Sequence, residues 1–528
     1  MYKILVSDKF SELGLEVFEK AEGVQVDYKP GLSAEELAGI IGQYHGLAIR
    51  SGTTVTAELL EKATNLRVVG RAGTGVDNVD LKAATKKGVC VMNTPGGNTV
   101  TTAEHAIAMM LSMARKIPAA CASLKGGKWE KSKFQGTEIF RKTLGVLGLG
   151  QIGRVVADRG LGLKMRVIAY DPFVSDDQAK KLGVEKVELD ELFERSDFIT
   201  IHVPKMPETE NLINKDTIAK MKKGVRIINC ARGGIVDEAA LLDGLKSGQV
   251  AGAALDVFAT EPVTEHPLFA VEDVVVTPHL GASTAEAQDN VAVAVAEQMV
   301  DYLVNDVVAN AVNVPSVSKE VLAQIGPYIV LGERLGAMQA QLSHELPKKL
   351  SIIYGGDLND QSTDAIGVAV LKGFGKHFSG DDVNFVNARH IAEEHGLSVQ
   401  EISQKHAYDF TSSLTVKVTY PSGDERSLSG VNFGPSGISL TRYNDKILSI
   451  EPEGHVLIIR NKDEPGVVGL VGTLLGEAGV NIGNLRLARD QQGERAMTFV
   501  TTDQAVPDEL IAKLESDPKI ESAKRVEL

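Results

Sequence analysis

The segment Thr143-Leu-Gly-Val-Leu-Gly148-Leu-Gly150-Gln-Ile-Gly153 constrains this chain more than any other. An apolar run leads into glycines spaced G-x-G-x-x-G, and a helical pattern from Gln151 to Gly162 follows. In that setting each glycine has its own duty. Gly148 permits the tight turn, Gly150 lets the backbone approach a pyrophosphate, and Gly153 lets the helix pack closely on the strand. The helix start adds free N–H groups and a partial positive charge for the phosphates. The next apolar run, MRVIAYD from Met165, ends on Asp171. A carboxylate about 20 residues past the glycines accepts from ribose hydroxyls and repels a 2′-phosphate. The spacing therefore predicts a dinucleotide-binding unit that takes NAD rather than NADP. The alternative is a glycine-rich αβ turn with no nucleotide.

The rest of the first half agrees with that unit. KILVSD from Lys3, VQVDYK from Val24, GLAIR from Gly46, LRVVGRAG from Leu66 and VCVMNT from Val89 alternate with amphipathic stretches such as AEELAGIIG from Ala34. Residues 99–126 read as one long helix or two. The alternation then resumes with TLGVLGLG, MRVIAYD, FITIHV from Phe198, VRIINCAR from Val225, GAALDVF from Gly252 and VVVTPH from Val274, and a helical pattern runs from Ser283 to Asn305. Strands alternating with helices predict parallel sheets joined by right-handed crossovers, here two doubly wound α/β units. Val312-Asn-Val-Pro315 marks a boundary. Residues 316–452 read as an α+β module, helical patterns first and then strands rich in Thr, Ser and Val (LTVKVTY, SLSGVNF, ISLTRY, KILSIE). Glu451-Pro-Glu-Gly454 reads as a linker, and 455–528 follow the ferredoxin-like order βαββαβ.

Bulk properties narrow the class. A chain of 528 residues implies roughly three or four domains. A formal net charge of -14 argues against general binding of nucleic acid or anionic membrane. No apolar run is long enough to span a bilayer, and the N-terminus enters a strand without a cleavable signal pattern. Cys90, Cys121 and Cys230 are dispersed, with no C-x-x-C or Cys/His metal spacing. The expectation is reduced thiols in the core, no metal, and a cytoplasmic protein.

Three segments sit at or just past predicted strand ends, where open α/β sheets bind ligands. They are Asn229-Cys-Ala-Arg232-Gly-Gly234, Asp256-Val-Phe-Ala-Thr-Glu261-Pro262 and Pro278-His279-Leu-Gly-Ala282. Hydride transfer from a secondary alcohol to NAD requires a group that takes the hydroxyl proton. An imidazole titrates near neutrality and opens a glycine-containing loop at His279. Glu261 is placed to bond the other ring nitrogen and fix the tautomer. Arg232 has the forked geometry for a carboxylate and the reacting oxygen. Each also has a plainer reading: a structural histidine, a solvated turn before proline, a surface cap before Gly-Gly.

Together these residues resemble the D-isomer-specific 2-hydroxyacid dehydrogenase family, which carries a glycine-rich NAD motif, an Arg before Gly-Gly, a Glu before Pro and a Pro-His segment. The resemblance implies catalytic roles for Arg232, Glu261 and His279. It implies a cofactor domain (98–287) inserted into a substrate domain (1–97 and 288–314). It also implies cofactor contacts at Gln151, Ile152, Val203, Cys230, Ala231, Arg232, His279, Leu280, Gly281 and Ala282, with Asp256 near the nicotinamide carboxamide.

Two cationic strand ends, Ala48-Ile-Arg50-Ser51 and Gly70-Arg71-Ala-Gly73-Thr-Gly75, and a third region, Phe134-Gln-Gly-Thr-Glu-Ile-Phe-Arg141-Lys142, bear on the substrate. A phosphorylated hydroxy acid carries about three negative charges near pH 7 and needs several cations. Arg50, Arg71 and Lys142 are the candidates, with Ser51 and Gly73 beside them; the plainer reading is solvated strand ends. GRAGTGVDNVDL and NTPGGN from Asn93 resemble the 3-phosphoglycerate dehydrogenases of that family, which implies D-3-phosphoglycerate as substrate and a cofactor contact at Thr74. Arg141 departs from that pattern, where a small residue is expected.

HVLIIRNKDEPGVVGLVGTLLGEAGVNIGNL from His455 resembles an ACT domain, most clearly in Asp463-Glu-Pro-Gly466 and Gly479-Val-Asn481-Ile. Such domains pair through sheet edges and bind amino acids between them. Asn461, Asp463 and Asn481 are the candidate effector groups, or else caps of strand and helix ends. The resemblance implies L-serine as feedback effector and a homo-oligomer, dimer or tetramer. It extends to an intervening domain (315–452), a further allosteric region, ahead of the ACT domain (453–528). It leaves open a 2-oxoglutarate reductase side activity. The alternatives are a dehydrogenase of another hydroxy acid, an NAD-sensing corepressor on the same fold, and an ACT region that serves oligomerisation alone.

Overall fold

The computed structural model describes residues 1–305, 307–315, 319–380, 382–489 and 494–528. Its first sheet is parallel throughout, in the order β2-β1-β3-β4-β5. The strands are β1 Tyr2–Val6, β2 Val24–Tyr28, β3 Gly46–Ile49, β4 Val68–Arg71 and β5 Cys90–Met92. All four residues of β3 are buried, as expected where both faces of a parallel sheet are covered. Part of that cover arrives from far along the chain. The helix Ala285–Asn305 sets Val291, Val295, Ala296, Met299 and Leu303 against Ile4, Val6, Ala48 and Val68. The chain thus leaves this sheet, builds another, and returns to it.

The second sheet holds β6 Thr143–Leu147, β7 Arg166–Tyr170, β8 Glu185–Lys186, β9 Phe198–Ile201, β10 Val225–Asn229, β11 Val250–Leu255 and β12 Val274–Val276. Its order is β12-β11-β10-β9-β6-β7-β8, all parallel. The order reverses between β6 and β9, so the binding crevice of a doubly wound sheet lies at Gly148 and His202, just past those strands. The two-residue edge strand β8 carries no apolar run and was not anticipated. Residues 99–126 form two helices, Thr99–Ala114 and Ile117–Lys125, bent by 64°. Lys116 turns left-handed at φ 52 and Pro118 starts the second helix, where its missing N–H is harmless. Among the described residues no single helix is long and apolar enough to cross a membrane.

The third sheet runs β14-β13-β15-β16-β17-β18, built from β13 Lys349–Gly356, β14 Ser398–Gln404, β15 Ser412–Thr419, β16 Glu425–Asn432, β17 Ile438–Tyr443 and β18 Lys446–Ile450. This corrects the expectation of helices first and strands after. β13 and β14 are interleaved with the helices Lys319–Gln341, Asp364–Ser379 and Ala388–Glu394. β14 is an edge strand with no fully buried residue, so its sequence SVQEISQ shows no apolar signal.

The last sheet is antiparallel, β20-β21-β19-β22, from β19 His455–Lys462, β20 Ile482–Arg489, β21 Arg495–Thr502 and β22 Ile520–Glu527. With helices Val467–Glu477 and Asp508–Glu515 it completes the expected βαββαβ unit. One face, Leu457, Ile459 and Val500, meets those helices. The other face, Val456, Ile458, Met497, Phe499 and Val526, joins one continuous core with Leu331, Leu335 and Met338 of helix Lys319–Gln341 and with Leu440 and Tyr443 of β17. The third and fourth sheets are therefore packed as one body. Asn384 Nδ2 donates to Gly88 O (2.9 Å) and Lys86 pairs with Glu394 (3.0 Å), which seats that body on the first sheet's unit.

Candidate active site

The C-terminal strand ends of the two parallel sheets enclose a cleft of about 580 Å³. Arg50 and Ser51 follow β3; Arg71 ends β4 with Gly73 close behind. They form one wall, and Asp256, Glu261, Thr277, His279 and Ala282 from the second sheet form the other. Gln288 and Val291, from the returning helix, close the floor.

The structure brings together His279 and Glu261, the two residues expected to share a proton-transfer role. His279 Nδ1 lies 2.6 Å from Glu261 Oε2, and Glu261 Oε1 accepts the Phe258 N–H at 2.9 Å. With its carboxylate held at both oxygens, Glu261 fixes the ring and leaves Nε2 for a reactant. His279 sits at φ 57, a conformation a non-glycine residue holds only where its surroundings impose it. The imposing group is Asp256, which is fully buried. Its backbone O accepts the His279 N–H (2.9 Å), its Oδ1 the Leu280 N–H (2.7 Å) and the Thr277 hydroxyl (2.6 Å), and its Oδ2 the Gly281 N–H (2.8 Å). Burial alone would raise this carboxyl. The hydrogen bonds from His105, Thr277 and Leu280 outweigh it and hold the group below the ordinary Asp range.

The opposite wall is cationic. Burial, then the neighbouring charges of Arg232 and Arg50, depress the Arg71 guanidinium to about 10, against the opposing pull of Asp77 and Asp8. Its Nε is buried and has no hydrogen-bond partner. A Cβ at Gly73 would fall 1.7 Å from Arg71 Nη1, so a side chain there would displace this guanidinium, and the φ of 143 itself favours glycine. Arg232 pairs with the exposed Asp77 (Nε–Oδ2 3.0 Å) and donates to Ala231 O (2.7 Å). An exposed partner of that kind gives way readily to a substrate carboxylate. Arg50 is anchored through its backbone N–H to Asp8 Oδ2 at 2.6 Å.

The nucleotide crevice fits a dinucleotide. Gly148 turns at φ 92 and a Cβ there would meet His202 O at 2.6 Å. A Cβ at Gly150 meets nothing, so open space faces this helix N-terminus where a pyrophosphate would lie. A Cβ at Gly153 would strike Gly148 O at 1.9 Å, so helix and strand pack as closely as expected. Asp171, at the end of β7, accepts the Leu149 and Phe173 N–H groups (both 2.8 Å), one on each oxygen, which fixes its carboxylate beside the glycine turn. Gln151 and Ile152 open the helix, and Val203 flanks Gly148. Thr74 donates to Asn98 Oδ1 (2.8 Å) between the units, and Ala231 N–H to Asn229 Oδ1 (3.0 Å). Leu280 is half-exposed, Gly281 buried, and Ala282 lines the cleft. Burial, then the Asp256 charge, pushes the Cys230 thiol up, so it stays protonated. His202 also follows a strand, but desolvation lowers it to about 3 and its Nε2 bonds Thr200 Oγ1, so it is no proton carrier.

Three expectations need correction. Lys142 precedes β6 and so lies at the N-terminal edge of the sheet, a strand's length from the cleft, beside Asp197. Arg141 occupies a left-handed position, φ 59, which is the reason a small residue is expected there. Cys121 is exposed; Cys90 is buried as expected, and burial raises its thiol to about 12. Asn461 is 1% exposed, with Oδ1 accepting from Thr498 Oγ1 (2.9 Å) and Nδ2 donating to Lys462 O (2.7 Å), so it offers nothing to a ligand. Asp463 pairs with Arg489 (3.3 Å) and Asn481 with Asp503 (2.7 Å). Sequence reasoning passed over Phe258, Phe269, Gln288 and Val291 on the cleft lining. Gln288 and Val291 share one face of the returning helix at i, i+3, a spacing that names a face but not what it faces.

Comparison with known proteins adds three domain matches. Residues 107–281 match the D-isomer specific 2-hydroxyacid dehydrogenase NAD binding domain, 324–441 the D-3-phosphoglycerate dehydrogenase intervening domain, and 455–519 the ACT domain. The chain is 42% identical to a D-3-phosphoglycerate dehydrogenase of Synechocystis, covering 100% of this chain and 95% of that protein. It is 40% identical to one of Bacillus subtilis over 100% of both. Among solved structures, the NAD-dependent formate dehydrogenase of Staphylococcus aureus in complex with NAD superposes with a TM-score of 0.54 at 30% identity, covering 60% of this chain and 100% of that one.

Proposed function

The chain belongs to the D-3-phosphoglycerate dehydrogenases of the D-isomer-specific 2-hydroxyacid dehydrogenase family, and from that premise we propose that its cleft oxidises D-3-phosphoglycerate to 3-phosphohydroxypyruvate, the first step of phosphorylated L-serine synthesis. NAD, when bound, supplies the hydride acceptor. His279 takes the substrate hydroxyl proton at Nε2 and returns it in the reverse direction. Glu261 keeps Nδ1 occupied and offsets the charge the ring gains. Arg232 meets the carboxylate and the reacting oxygen as a fork. Arg50 and Arg71, with Ser51 and Gly73, receive the phosphate. Residues 1–97 and 288–314 act as the substrate domain, 98–287 as the cofactor domain.

One observation carries the choice of substrate: Arg71, half-buried with its Nε unpartnered and its guanidinium depressed by the nearby charges of Arg232 and Arg50, lines the same cleft as the His279–Glu261 pair. Three clustered cations suit a carboxylate and a phosphate on one small acid and exceed what lactate or glycerate requires. The test is NAD reduction followed by absorbance with D-3-phosphoglycerate, D-glycerate and D-lactate in parallel, each with and without L-serine. Turnover confined to the phosphorylated acid upholds the reading; preference for an unphosphorylated acid sinks the phosphate assignment and leaves the dehydrogenase standing.

L-serine is the proposed effector, supported by the ACT domain, with Asp463 and Asn481 as the remaining contact groups. A second reading, an ACT domain that serves assembly alone, is favoured by its sheet face being committed to a shared core. Serine that binds without suppressing turnover decides for it. A homo-oligomer is proposed as well. Support comes from four large apolar side chains exposed within one stretch of chain, Ile117, Leu124, Trp129 and Phe140, at 52%, 56%, 83% and 54%.

A further inference from the structure

We infer that Thr102 and His105, on the helix Thr99–Ala114, are positioning residues that hold the His279 loop in its reacting conformation. The inference deepens the function proposed above and rests on it. The string TTAEHA sets the two residues at i, i+3, on one face of the helix, and the mechanism so far uses neither.

Thr102 is buried and its hydroxyl donates to Gly281 O at 2.9 Å. His105 Nε2 lies 3.2 Å from both Asp256 Oδ1 and Thr277 Oγ1. Asp256 in turn receives the Leu280 and Gly281 N–H groups. Gly281 is thus gripped on both sides, its N–H by Asp256 and its carbonyl by Thr102. A Cβ there would stand 3.2 Å from Asp256 Oδ2 and 3.4 Å from Thr102 Cγ2, so a side chain at 281 would press on both gripping residues. Two residues upstream, His279 holds its left-handed φ of 57. The ionisable groups gathered with His105 are Asp256 and Cys230, with their ligand atoms within 4.8 Å of one another. Each is committed to a hydrogen bond or kept neutral by burial, and the cluster reads as a polar clamp.

The helix that provides the clamp follows β5 by way of Thr94–Asn98, and Asn98 is bonded to Thr74 on the first sheet's side. One helix therefore leaves the substrate-side sheet and fixes the proton-transfer loop of the cofactor-side sheet. The geometry of the His279–Glu261 pair becomes a property of how the two units meet.

The test uses full-length protein and steady-state turnover of D-3-phosphoglycerate at saturating NAD. His105→Leu and Thr102→Val remove the bonds and keep the bulk; His105→Gln keeps an N–H donor and Thr102→Ser keeps the hydroxyl. The expected result is a fall in kcat of about 10- to 100-fold in Leu and Val, the scale of a misplacement near 1 Å, with KM for the acid unchanged because the arginines are untouched. Gln and Ser restore kcat to within about threefold of wild type, the scale of one retained hydrogen bond. Wild-type kcat in both Leu and Val, or a loss that Gln and Ser do not rescue, overturns the inference. Should His105→Leu fail to fold, Thr102→Val decides alone. If wild type itself ignores D-3-phosphoglycerate, the substrate assignment fails separately, and the same variants are read with whichever 2-hydroxy acid it turns over.

Discussion

Asp256 has no exposed surface and touches no cation of the opposite wall, yet it determines where His279 can be. Its carboxyl is depressed in the folded state, so its contribution to stability is complete above the ordinary Asp value of about 4 and is lost as pH falls through the lower folded value. Asp256→Asn should therefore melt well below wild type at pH 7, by about 3 kcal/mol for charge-assisted bonds lost in a buried site. The gap should narrow as the buffer is taken toward pH 3. A gap that stays constant with pH would mean the charge plays no part. At this scale the sequence placed correctly the candidate residues that close a strand. Arg232, Glu261 and His279 each sit one short loop past a strand end, and that edge of a parallel sheet is shared space. Lys142 misled because it adjoins the glycine motif in sequence. A five-residue strand separates the two edges by about 17 Å. Asn461 misled because alternation along β19 turns it inward, toward Thr498.

Among the elements, the junction of β6 with helix Gln151–Gly162 is the least forgiving. The helix approaches so closely that any side chain at 153 meets the carbonyl of Gly148. Gly153→Ala should cost about 1–3 kcal/mol of overpacking and raise KM for NAD more than KM for phosphoglycerate, read from a melt and a pair of saturation curves. Unchanged NAD affinity would show that the helix shifts without disturbing the crevice. The strong elements were those with an uninterrupted apolar run between turn signals, such as β3 and β11. The ones overlooked lacked that signal for a physical reason. β8 is two residues long, and β14 lies at an edge with most of its side chains in solvent. β13 was hidden differently: its run, LSIIY, is as compatible with a buried helix turn as with a strand, and only its neighbours settle the matter.

In the whole molecule, a segment that reads as a linker in sequence does not separate two bodies in the structure. Glu451-Pro-Glu-Gly454 has the composition of a linker, yet Phe499 packs on Tyr443 across it, the rings tilted with centroids 5.8 Å apart, and Val526 shares a core with Leu335. Composition reports the loop and not the sheet face beyond it. The intervening and ACT regions should therefore unfold in a single calorimetric transition, and deletion of 453–528 should leave an insoluble remainder because a sheet-sized apolar face is uncovered. A separate ACT transition would contradict the shared core. The tandem α/β architecture, by contrast, was readable from alternation alone, since each crossover repeats the same short-run and long-period pattern.

Selection of a phosphorylated acid is proposed to rest on the arginine wall, and on Arg71 above all. The most direct measurement is kcat/KM for D-3-phosphoglycerate and for D-glycerate in wild type and in Arg71→Ala. The account predicts a loss of about 100-fold or more with the phosphorylated acid, the scale of a buried charge-assisted pair, and far less with D-glycerate, so that the preference for phosphate collapses. Equal losses with both acids would make Arg71 a structural cation, and the reading of this cleft as a phosphate site would be wrong.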